Sequence, residues 1–110
     1  MEALSLTRLA EEQLAVAREA ASGRAARSVH GGGDRRLRQT LLALRGGRRL
    51  DEHDNPGEAT LQVLVGQVRL VAGDESWVGE AGDLMVVPPL RHALHAVTDA
   101  AVLLTVTPRP

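Results

Sequence analysis

Four histidines carry most of the chemistry this sequence can offer. His30 precedes a Gly-Gly-Gly-Asp run, His53 stands two residues before Asn55, and His92 stands three residues before His95. Imidazole exchanges protons near neutral pH and ligates divalent metals, so each is a candidate acid, base or ligand. The other proton-active groups are fourteen carboxylates and the Ser and Thr hydroxyls. Without Cys there is no disulfide, thiolate nucleophile or thiolate metal site. All 13 basic residues are Arg, so no Schiff base can form, and without Tyr no phenol can act as general acid.

These residues need a scaffold, and 110 residues with 44% hydrophobic content suit one domain with a single core. The net charge of -1 gives no global drive towards nucleic acid, and no aromatic residues interleave the arginines to stack on bases. The charge is uneven, however. Residues 1–50 hold ten Arg against five acids and residues 51–110 three against nine, +5 and -6. No apolar run approaches the roughly 18 residues of a membrane span, and no basic-then-apolar leader opens the chain. The expectation is a cytoplasmic protein without membrane or nucleic-acid partners.

Leu6, Leu9, Ala10, Leu14, Ala17, Ala20 and Ala21 trace one helical stripe, with Ser5 as N-cap and Gly23 as the stop. The stripe is Ala-rich and must pack on something else. After Gly23 the periodicity changes. His30–Asp34 reads as a loop, and eight short apolar runs follow between Gly, Pro and Asp punctuation: 37–44, 48–53, 60–65, 68–72, 76–78, 84–87, 92–97 and 101–107. That spacing predicts an all-β sandwich or barrel. Val65-Gly66-Gln67-Val68 reads as a tight hairpin, and Pro88-Pro89 ends a strand because neither residue donates a backbone hydrogen bond. The expected organisation is an N-terminal helix over residues 1–23, one β domain over 24–107 and a tail over 108–110.

From Gly47 to Thr107 the chain resembles the cupin superfamily, in particular its small single-domain, RmlC-like members. The first motif of that family runs Gly, five residues, His-x-His, three or four residues, Glu, six residues, Gly. Here Gly47, His53, Asn55, Ala59 and Gly66 fall at the matching positions, with Asn55 in place of the second His and Ala59 in place of the Glu. The second motif, Gly, five residues, Pro-x-Gly, two residues, His, is matched by Gly82, Pro88 and His92, one residue short and with Leu90 for the Gly. The resemblance covers roughly two thirds of the chain. It implies a cupin jelly-roll barrel, a double-stranded β-helix, here preceded by an N-terminal α-helix. In the family three imidazoles and the carboxylate hold a divalent metal. His53 and His92 fill two of those four usual positions, which implies no metal or a weakly bound one. Glu58 would complete the set if a bulge after Pro56-Gly57 turned it inward.

The leading expectation is a barrel that binds a small organic molecule beside His53, His92 and Asn55, with these imidazoles as candidate catalytic proton-transfer groups. Glu58 and one of Arg38, Gln39 or Thr40 are further candidate ligand contacts, an Arg suiting a carboxylate. Alternatives are a metal-dependent oxygenase or isomerase with a depleted ligand set, and a non-enzymatic sensor barrel. His30 and His95 read as surface residues, the arginines of residues 35–49 as a solvated strand face, and Trp77 as packing. The run Leu41-Leu42-Ala43-Leu44 reads as a strand buried on both faces. Either the helix or a second chain must cover its outer side, and a homodimer is expected.

Overall fold

The computed structural model describes residues 3–53 and 57–108. The helix α1 covers Leu6–Glu19, with the Ser5 hydroxyl accepting from the Arg8 N–H at 3.2 Å. This is the predicted N-cap, and it satisfies one of the donors left open by a first helical turn. The helix stops earlier than predicted. Ala20 is already extended, and Gly23, at φ +69°, serves the turn that follows.

Among the described residues nine strands follow, one more than the periodicity predicted: β1 (Arg24–His30), β2 (Arg38–Leu44), β3 (Arg49–His53), β4 (Gly57–Val65), β5 (Gln67–Ala72), β6 (Glu75–Glu80), β7 (Leu84–Val86), β8 (His92–Ala96) and β9 (Ala100–Pro108). The unforeseen one is β1. It lies at a sheet edge, and its Ala25 and Val29 pack into the cluster beneath α1. The strands form two antiparallel sheets, β1-β2-β9-β4-β7 and β3-β8-β5-β6. No helix among the described residues is long and apolar enough to cross a membrane.

The all-apolar run of β2 is divided by side-chain alternation. Leu42 and Leu44 join the core between the sheets with Leu61, Val63, Val68, Leu70, Leu94 and Val102, while Leu41 and Ala43 join Leu9, Ala10, Leu14, Ala17 and Ala101 beneath α1. The helix thus supplies the outer cover, and burial on both faces of β2 carries no argument for a second chain. Trp77 differs from the packing expectation. It is 40% exposed and lines a cleft with Leu70, Met85 and Val86 between β6 and β7, the strands that end the two sheets.

One end of the sandwich is held by Asp99. Its carboxylate accepts from the Gly46 N–H at 2.8 Å and from Arg18 Nε at 2.8 Å, and Arg45 in turn donates to the Arg18 carbonyl at 3.0 Å. The Gly46 N–H, followed by Arg18, holds the Asp99 carboxyl below the ordinary carboxylate value. A depressed folded-state pKa contributes stability that is present above the unfolded-state value and is lost as pH falls through the folded one. Both partners are more than a third exposed, so this contribution is below about 1 kcal/mol. Thermal melts of wild type and Asp99→Asn are therefore expected to differ modestly at neutral pH and to converge below the ordinary carboxylate range. A gap that persists into acid would contradict the charge assignment.

Candidate functional site

The opposite end of the sandwich is where the chain crosses between sheets, through residues 53–57 from β3 to β4 and residues 86–92 from β7 to β8. The 30–38 connection, containing His30 and the glycine run, closes at the same end, since His30 pairs with Gln39 and Arg38 with Val106. These crossings gather the motif residues although they are distant in sequence. The register places His53 directly opposite His92, and a shift between Leu50 and His53 allows Leu50 to pair with Leu94 and His53 with His92.

His92 is 6% exposed and the one buried polar or charged residue among those described. It alternates in step with Leu94 and Ala96, which belong to the core between the sheets, so it faces the interior. Its Nδ1 lies 2.9 Å from the Leu90 carbonyl oxygen. A carbonyl only accepts, so Nδ1–H is the donor. Leu90 occupies the Gly position of the second motif, and it is thus the backbone at that position that orients the ring.

On the facing sheet the end row is Arg38, Val106 and Ala59, paired in that order, and the Val87 N–H donates to the Ala59 carbonyl at 3.0 Å. Ala59 is inward and 8% exposed, in line with Leu61 and Val63. A methyl group stands where the family has its carboxylate. Glu58, one residue earlier, is exposed, and the pairing from Gly57 to Val63 runs without a shift, so no bulge turns it inward. This corrects the expected rescue. Nor does His95 approach His92. It lies on the outer face, paired with Arg49 and Arg69. Asn55 lies outside the described residues.

Among the described residues no three His, Asp or Glu groups converge on a common point. The described residues therefore do not fit the family's four-ligand metal site, since the carboxylate position is a buried methyl and Glu58 beside it faces away. Of the other predicted contacts, Arg38 and Thr40 share the inward face of β2 with Leu42 and Leu44. Gln39 does not. It lies on the helix side with Leu41 and Ala43, and its Nε2 donates to Thr105 Oγ1 at 3.2 Å. Sequence reasoning missed the cleft of about 470 Å3 that Ala59 lines together with Gly57, Glu58, Thr60, Val86, Val87 and Pro89. Its only signal was a small residue at a position that is large and charged in the family.

Two antiparallel sheets, crossings at the histidine end and two motif histidines in adjacent strands define a jelly-roll of the cupin kind. Solved structures agree. A cupin superfamily protein from Desulfitobacterium hafniense superposes with a TM-score of 0.78 at 18% identity, over 98% of this chain and 92% of that one. An RmlC-like cupin from Desulfovibrio desulfuricans gives 0.67 at 28% identity, over 77% of this chain and 82% of that one. Salicylate 1,2-dioxygenase from Pseudoaminobacter salicylatoxidans, solved with gentisate adducts, gives 0.72 at 29% identity over 89% of this chain but 30% of the larger enzyme. No family model matches the sequence, and no curated protein is similar to it. The chain has the cupin jelly-roll fold and is similar to RmlC-like cupins.

Proposed function

We propose that the protein binds a small organic molecule at the histidine end of the sandwich, between the His53–His92 pair and the Ala59 row. The observation that carries this reading is the buried, inward-facing His92 with its Nδ1–H committed to the Leu90 carbonyl. With Nδ1–H bonded to a carbonyl the ring is held in one orientation facing the interior, and an oriented imidazole suits hydrogen bonding to a ligand or exchanging a proton with it. Ala59 in place of a carboxylate leaves room for ligand atoms. Arg38, inward on the same end row, suits a carboxylate or carbonyl oxygen on the ligand. Any catalysis would then be proton transfer between ligand and imidazole, with His53 as the second group.

A metal-dependent oxygenase is the second reading, supported by the likeness to salicylate 1,2-dioxygenase. Native mass spectrometry of untagged protein separates the two. The proposal expects an organic adduct on the wild type that is lost or strongly depleted in His92→Gln, while the melting temperature of that variant shows that it is folded. An adduct retained in full by folded His92→Gln would overturn the assignment.

A further inference from the structure

On the outer face of the β3-β8-β5-β6 sheet, away from the histidine pair, the register lines up three basic residues on adjacent strands. Arg49 of β3 is opposite His95 of β8, which is opposite Arg69 of β5. Two guanidinium groups thus flank one imidazole, and of the two only Arg49 has a carboxylate beside it, that of Asp51. A cleft of about 690 Å3 opens at the β3 end of the row, lined by Ser22, Arg24, Gly47, Arg48, Arg49, Asp51 and His95. Three guanidinium groups thus meet one carboxylate there, and that carboxylate is already 3.0 Å from Arg49 Nε.

The arginines at the neighbouring corner are bonded, Arg18 to Asp99 and Arg45 to the Arg18 carbonyl. Among the described residues Arg24, Arg48 and Arg69 form no ion pair. The stem of Arg48 crosses Gly23, where a Cβ would lie 2.6 Å from its Cγ and 2.9 Å from its Nε. Gly23 thereby leaves the space that brings Arg48 alongside Arg24. We infer that this cleft is a second binding site, separate from the histidine end, for a small phosphate ester or diphosphate. Guanidinium forks match phosphate oxygens in pairs, the volume lies within the usual range of small-molecule sites, and no Trp, Tyr or Phe lines the cleft.

Inorganic pyrophosphate is the probe, measured by calorimetry and by thermal shift against chloride at equal ionic strength. Binding only N raises the melting temperature, so pyrophosphate is expected to raise it beyond chloride. Arg24→Gln/Arg48→Gln is expected to weaken binding by about tenfold or more without lowering the anion-free melting temperature, because repulsion is relieved. Arg35→Gln/Arg36→Gln removes the same charge at the other end and is expected to bind as the wild type does. The site is overturned if pyrophosphate acts no differently from chloride, or if the two double variants weaken binding equally. A short single-stranded oligonucleotide that binds more tightly than pyrophosphate would overturn the small-molecule assignment in favour of a nucleic-acid backbone.

Discussion

Gly66→Ala is expected to lower stability by roughly 3 kcal/mol or more, a fall of more than about 12 °C in melting temperature for a domain of this size. Gly66 is the tip of the β4–β5 hairpin at φ +79°, a conformation that costs an L-residue about 1 kcal/mol. The larger cost is steric. A Cβ would collide with the Asp99 carbonyl oxygen and would lie 2.7 Å from Thr98 Oγ1. The 97–99 turn cannot yield, because the Gln67 N–H donates to Thr98 Oγ1 at 3.0 Å, the Val97 N–H donates to the Gln67 carbonyl at 2.9 Å, and Asp99 grips Gly46 and Arg18. Gly73→Ala is the control. Its φ is +59° with nothing within 4 Å of the added carbon, so only the backbone strain of about 1 kcal/mol remains. Equal urea midpoints for the two variants would contradict the clash.

Leu41→Ala is expected to cost about 3–5 kcal/mol, the upper part of the range for a buried leucine. Leu41 is 0% exposed and sits between α1 and the sheet, in a cluster whose other members include Ala10, Ala17, Ala43 and Ala101. Alanines have no rotamers with which to fill a void, and closing it would require α1 to move against its own packing. The cavity therefore persists, and residual cavity volume is what separates costly substitutions from mild ones. Leu37→Ala, at a position 43% exposed, is expected to cost less than about 1 kcal/mol. Chemical denaturation of both reads the difference, and a Leu41 cost near that of Leu37 would contradict the role of α1 as a fixed cover.

The sequence made some of this legible because the signals are local. Ser5 caps a periodic stripe, Gly66 and Gly73 mark turns, and Pro88-Pro89 ends a strand. Other features depend on register and long-range pairing. The strand β1 escaped notice because it is an edge strand with its apolar residues beneath α1, so no alternation shows. Burial on both sides of β2 erased its pattern, and facing was decided only by which cluster each residue joins. At the candidate site the motif spacing located His53 and His92, but the direction of Glu58 rested on whether β4 carries a bulge. The basic row Arg49–His95–Arg69 requires two strand pairings that a linear reading does not supply.

The proposed function requires the histidine end of this cupin fold to hold an organic molecule through imidazole groups and not a metal through a complete ligand set. Native mass spectrometry of untagged wild-type protein, from cells grown with supplemented iron, manganese, nickel, copper and zinc, tests it most directly. An organic adduct that leaves on denaturation is expected, with bound metal well below one equivalent. One equivalent of a divalent metal retained through dialysis, with no organic adduct, would contradict it.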